Sequence, residues 1–189
     1  HCQFLEKYKP LSLHILSYKW GLSMRRFFNE ILDNYLNYKQ DPFNSKNKMY
    51  EIINNELVEE LENLINKSQY TIRGSVGVNE WAEIPWIIIF DNNLSNNNSS
   101  KFVVTYLFKK DMSGVYLSLN FLFQSHQQQD NNNDLDYIEK DVSEFRDIIS
   151  KEFNVSDFKT DIDLASNNPT PKNYEKANVY AKYYDKDNL

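Results

Sequence analysis

The chain has 189 residues, 41% of them hydrophobic, with 27 acidic against 21 basic side chains and a net charge of −6. This composition predicts one folded domain with a substantial core and excludes collagen-like, proline-rich and disordered architectures. The acid excess argues against a sequence-blind nucleic-acid coat, which depends on neutralising many phosphates, but leaves room for a local basic rim around a specific pocket. A single cysteine, Cys2, excludes an internal disulfide framework or a cysteine-rich zinc site. The longest apolar run, Ile84 to Phe90, is too short to span a membrane, and the opening residues mix charges into their apolar stretch, unlike a secretory signal. A cytoplasmic protein without membrane association is therefore expected.

Residues 1–23 read as an extension or an additional N-terminal helix, and residues 24–189 as the domain proper. Phe27, Phe28, Ile31, Leu32, Tyr35 and Tyr38 have helical spacing, which predicts a helix over 24–39 stopped at Asp41 and Pro42. A second helix is predicted over 48–66, with Ile53, Leu57, Leu61 and Leu64 inward and Glu56, Glu59, Glu60 and Glu62 outward. Tyr70 to Arg73 reads as a short strand, and residues 75–83 fit neither period. The run from Trp86 to Phe90 predicts a strand buried on both faces. After a polar asparagine-rich loop, Lys101 to Phe108 and Val115 to Phe123 form a hairpin around the turn at 111–114. On its second strand Leu117, Leu119 and Phe121 share one side, and Tyr116, Ser118 and Asn120 the other.

Residues 124–134 are of low complexity and read as a linker. Helical spacing returns at Ile138, Val142, Phe145 and Ile149; residues 130–163 hold eleven acids against four bases, which predicts a solvated scaffold face. Residues 161–164 suggest a short strand, 167–171 a turn, and 177–184 a final strand with helix as the alternative. The sum is an α+β domain with a mostly antiparallel central sheet flanked by helices.

Catalytic patterns are missing from the sequence. The three histidines stand apart, and no metal-binding histidine or cysteine spacing and no glycine-rich phosphate loop occurs. Glu80, Glu83 and Asp91 could hold magnesium in principle, but the carboxylate-plus-lysine spacing of a nuclease is absent. Neither a catalytic residue nor a cofactor or metal is expected. The informative stretch is YTIRGSVGVNEWAEIPWIIIFD, with Trp81 and Trp86 flanking an irregular loop that enters a buried strand. Two readings stand. Large aromatics commonly close the end of a core. Alternatively the tryptophans form a cage: a planar base stacks on the rings, Asn79 and loop backbone groups bond its edge, and Arg73, Lys101, Lys109 and Lys110 hold adjacent phosphates.

GSVGVNEWAEIPWIIIFD, followed by KFVVTYLFKKDMSGVYLSLN and NYEKANVYAKYY, resembles the McrB-type N-terminal domain, a family found ahead of a GTPase module in modification-dependent restriction systems. The resemblance covers the chain from about Met24 to its end. It implies a specificity domain that binds double-stranded DNA carrying a modified base, 5-methylcytosine in the best-known members, and flips that base into a pocket. Implied partners are a GTPase motor domain in the same parent protein and a nuclease subunit. It further implies Trp86 as a pocket wall, the loop from Ser75 through Val76 to Asn79 as a source of backbone groups and one side chain, linings at or next to Leu107 and around Phe102 or Val103, and a late aromatic at Tyr174. Two departures stand out: Val76 replaces an aromatic, and Phe121 with Leu122 replaces a glycine-containing turn. The acidic total suits a domain whose avidity comes from assembly. The competing expectation is a protein-interaction module in which Tyr106, Tyr116 and the tryptophans pack against a partner.

Overall fold

Strand alternation divides the core of this protein into two unequal parts, one on each face of a single sheet. A computed structural model describes residues 22–92, 102–122 and 133–189. The N-terminal extension, most of the asparagine-rich loop, Lys101 and nearly all of the low-complexity linker lie outside the described residues.

Helix α1, Leu22–Tyr38, buries Met24, Phe28, Ile31, Leu32 and Tyr35, the stripe its spacing predicts. The predicted second helix is divided: α2 (Lys48–Glu51) passes through a π turn (Ile52–Glu56) into α3 (Leu57–Leu64). Asn47 caps its start by accepting the Met49 N–H at 2.8 Å. The π turn lies against Gly74, where a Cβ atom would collide with the Ile53 carbonyl oxygen. Close backbone approach therefore explains the glycine in the first strand.

Five strands follow: β1 (Tyr70–Ser75), β2 (Trp86–Asp91), β3 (Phe102–Phe108), β4 (Gly114–Phe121) and β5 (Asn178–Asp185). They pair in the order β1-β2-β3-β4-β5, every neighbour antiparallel. Helices α4 (Asn133–Glu152) and α5 (Pro169–Lys176) lie between β4 and β5. The expected α+β architecture is the one observed.

On the first face, Ile72, Ile87, Val104, Tyr106 and Leu117 pack with the helices in the larger core cluster. Phe28 contacts Tyr106 and Phe108 with ring centroids 5.4 and 5.6 Å apart, and Phe102 stacks on Phe145 of α4 at 4.0 Å. Ile88 is buried on the opposite face, so β2 is covered on both sides as its apolar run predicts.

The C-terminal third departs from the sequence reading at two segments and agrees with it at the last strand. Residues 161–164 form no strand; the sheet-like contact is an isolated bridge from Lys159 to Ala181. The expected turn at 167–171 opens α5, because Pro169 has the fixed φ that suits a first helical position. The last segment is β5, pinned by pairing along β4, which disposes of the helical alternative. Arg146 is also no solvated scaffold residue: its guanidinium donates to the carbonyls of Val179, Thr160 and Asn178 at 2.9, 2.8 and 2.7 Å.

Candidate functional site

The register brings one residue from each strand into a row on the second face: Ser75, Trp86, Leu107, Tyr116 and Tyr183 are successive Cα partners. Directly paired residues of antiparallel strands project to the same side, so these side chains all point away from the main core. Leu107 and Tyr116 form a buried cluster with Ile84, Ile162, Leu164 and Ala181, against which Trp86, Tyr174 and Tyr183 are partly buried. The segment from Ile162 through α5 thus roofs this end of the sheet.

Alongside runs a second row of Arg73, Ile88, Thr105, Ser118 and Ala181. Thr105 and Ser118 of this row join a buried hydrogen-bond group. Thr105 Oγ1 donates to Asn120 Oδ1 at 3.2 Å, Ser118 Oγ lies against the side-chain oxygens of Asn120 and Asn178, and Asn120 Nδ2 donates to the Tyr174 carbonyl at 2.9 Å. Asn178 Nδ2 donates to Thr160 O at 2.7 Å. Buried polar groups need partners, and here the partners tie the roof to the sheet.

The loop from Ser75 to Trp86 has an anchored side and an exposed tip. Gly77 (φ 112°) and Asn79 (φ 65°) adopt left-handed backbone, and the Gly77 N–H donates to Ser75 Oγ at 3.0 Å. The Ala82 N–H donates to Val76 O at 2.6 Å, while Tyr35 Oη and Lys39 Nζ donate to Ala82 O at 2.8 and 2.9 Å. Between these anchors Val78 is 78% exposed.

The expected site residues therefore separate. Trp86, Leu107 and Tyr174 come together in the second-face cluster, Ser75 is next to Trp86 in register, and Val103 lies on the same face as Leu107, four residues before it on β3. Trp81, Val76 and Phe102 belong to the main core instead. Trp81 meets Tyr35 and Phe43 edge-on at 6.0 and 5.3 Å, and its indole N–H donates to Asp41 O at 2.8 Å. Val76 is fully buried, which removes it from the loop surface, and Asn79 is exposed at the tip. Among the expected phosphate contacts, Lys110 is ion-paired with Glu83 at 2.5 Å and Lys109 with Asp111 at 3.6 Å. Arg73 is exposed, its guanidinium 5.7 Å from the Phe90 ring centroid.

Tyr116 and Tyr183 were not expected in this row. Their rings are 4.8 Å apart, Tyr183 donates to Ser113 O at 3.1 Å, and Lys109 and Lys159 sit 5.9 and 5.6 Å from its ring centroid. Burial pushes the Tyr116 and Tyr174 phenols above the ordinary tyrosine range, so both are neutral at physiological pH. Alternation along β4 already placed Tyr116 with Ser118 and Asn120; the pairing that adds Tyr183 is non-local.

The acidic trio does not assemble. Glu83 is held by Lys110, Ser166 and Asn168, whereas Asp91 ends β2 opposite Tyr70. Among the described residues no group of three or more His, Cys, Asp or Glu could hold a metal ion, and no helix is long and apolar enough to cross a membrane.

Residues 30–189 match the family described as MrcB-like, N-terminal domain. No curated protein and no solved structure shows significant similarity to the chain. The family match spans all five strands and α2 to α5, including every residue of the second-face row, and agrees with the resemblance carried by the GSVGVNEWAEIPW and KFVVTYLF segments. The chain belongs to the MrcB-like (McrB-type) N-terminal domain family.

Proposed function

We propose that this domain binds double-stranded DNA carrying a modified base, 5-methylcytosine foremost, and takes the flipped base against Trp86. The observation that carries this reading is the Trp86–Leu107–Tyr116 row, an aromatic and apolar cluster on the face the main core does not use, in which Leu107 and Tyr116 are buried and Trp86 is partly exposed. A base stacked on an aromatic ring gains about 1–3 kcal/mol whatever its identity. Leu107, beside Trp86, supplies an apolar neighbour for a methyl group, worth about 1 kcal/mol when buried. Selectivity beyond that must come from hydrogen bonds, for which the Ser75 hydroxyl and the 77–79 backbone are the nearest loop groups in sequence. Trp81, Val76 and Phe102 support the fold in this scheme, and Arg73 contacts phosphate.

The domain acts in the cytoplasm as the reader of a restriction system, with a GTPase motor domain and a nuclease subunit as partners. Linked copies compensate for the acidic surface by raising effective concentration.

The test is a low-salt fluorescence-anisotropy titration of matched duplexes carrying cytosine, 5-methylcytosine, 5-hydroxymethylcytosine or N6-methyladenine, repeated with Trp86→Ala. A several-fold preference for one modified duplex, lost in the variant, is expected. Equal weak binding to all four, unchanged by the substitution, refutes the reading and leaves the row as a secondary core.

A further inference from the structure

Glu83 stands three residues before Trp86 and joins two other parts of the chain to it. Its carboxylate accepts from Lys110 Nζ at 2.5 Å, Ser166 Oγ at 2.6 Å and Asn168 Nδ2 at 2.8 Å. Lys110 follows β3, the strand of Leu107; Ser166 and Asn168 link Leu164 to α5, which carries Tyr174. One carboxylate therefore spans the wall at Trp86, the strand end beyond Leu107 and the roof above them.

The surrounding bonds make this link directional. The Lys110 N–H donates to Leu164 O at 3.0 Å, and the Leu164 N–H donates to Glu175 Oε1 at 2.8 Å, so Leu164 is fixed from both sides. Ser166 is itself buried, and its hydroxyl oxygen also accepts the Asn168 N–H at 3.1 Å. Ala165 adopts φ 57°, the turn that aims Ser166 back at Glu83. A partly exposed ion pair adds little net stability. An apolar residue at position 83 could serve the roof equally well if holding it down were the only requirement, whereas three directional bonds fix its height.

We propose that Glu83 is a positioning residue that sets the gap between Trp86 and the Leu164–Tyr174 roof, and thereby the selectivity of the site among bases. The role rests on the reading of Trp86 as the base-stacking wall. Glu83 touches no base; it acts through the two surfaces that do.

The experiment compares the 189-residue chain with Glu83→Ala, Glu83→Gln and a charge-matched control, Glu30→Ala, whose carboxylate pairs with Lys48 on the helical side. Amide hydrogen exchange is followed in segment 162–168, with β3 and β4 as internal references, and the ratio of affinities for methylated and unmethylated duplexes is measured in parallel. Glu83→Ala is expected to speed exchange in 162–168 by about tenfold without changing the reference strands. The affinity ratio is expected to fall several-fold, with Glu83→Gln in between and Glu30→Ala like the parent. Unchanged exchange overturns the positioning role, and so does faster exchange with an unchanged ratio. A parent chain without any duplex preference overturns the reading of Trp86 and the selectivity role with it; the exchange data separate that outcome from failure of the roof contact. If Glu83→Ala does not fold, the double variant Ser166→Ala/Asn168→Ala removes the same two roof contacts and is judged by the same outcomes.

Discussion

Trp86 and Leu107 are Cα partners on neighbouring strands, and both project to the face opposite Tyr106 and Phe108. β3 consequently serves two purposes through alternate residues. Tyr106 and Phe108 hold α1 through Phe28, while Leu107, between them, meets Tyr116 and Leu164 on the other side. A one-residue slip of β3 would exchange the two sets, so the rigidity of the helical core also fixes the candidate site.

The two tryptophans are expected to part company under mutation. Trp81→Phe keeps most of the edge contacts with Tyr35 and Phe43 but loses the indole bond to Asp41 O. Urea unfolding should report a loss of about 1–2 kcal/mol, with the duplex preference unchanged. Loss of the preference at full stability would place Trp81 in the site.

Arg146 should prove one of the more costly polar residues to remove. Its guanidinium satisfies carbonyls at both Thr160 and the start of β5, and no other side chain type presents so many donors in one plane. Arg146→Ala is expected to destabilise the fold by about 3 kcal/mol, and Arg146→Lys to restore only part of that. A denaturation midpoint in Arg146→Ala close to that of the parent would show that the three carbonyls find other partners.

Much of this architecture was legible in the sequence because it depends on local period. The stripe on α1 identifies a helix and the side it buries, the apolar run of β2 identifies a strand covered on both faces, and the alternation along β4 sorts its residues between two faces that are both buried. What escaped is non-local. Val76 lies just beyond β1, where no period assigns its side; along β3 alternation separates Phe102 from Leu107, but only the packing shows which set meets the helices, and the expected site mixed residues from both faces. Arg146 lies within an acid-rich helix whose composition suggests solvent, and only the packing of β5 reveals its three acceptors. The Asn168-Pro169 start of α5 is legible as a helix signal, but the same dipeptide also fits a turn, and sequence alone does not separate the two.

Acid should weaken the roof through Glu83. Burial alone would raise this carboxyl, but the bonds from Lys110, Ser166 and Asn168 outweigh it and hold the group below its ordinary value of 4.5. The unfolded chain then binds the proton more readily, so the contribution of Glu83 is fully present above the ordinary glutamate value and is lost as pH falls through the depressed one. Urea stability of parent and Glu83→Gln should differ by a constant amount at neutral pH and converge in acid. A difference that persists undiminished to the lowest pH at which the fold survives would mean that the charge on Glu83 carries no part of its effect.

Arg73 should contribute to DNA affinity without reading sequence or modification. It lies two residues before Ser75 on β1, pairs in register with Ile88, and presents its guanidinium to solvent across the Phe90 ring. Lys110, by contrast, is bound to Glu83 and is poorly placed to neutralise phosphate. Each phosphate neutralised releases condensed counterion, so Arg73→Ala should weaken binding to every duplex alike and reduce the slope of log K against log salt by about one. The preference for the modified duplex should be retained. Lys110→Ala should do the reverse, leaving the salt slope in place while loosening Glu83 and lowering the preference. Anisotropy titrations at four or more salt concentrations distinguish the two. An unchanged slope in Arg73→Ala would move the phosphate track away from this edge of the sheet, towards Lys109 and Lys159 beside Tyr183.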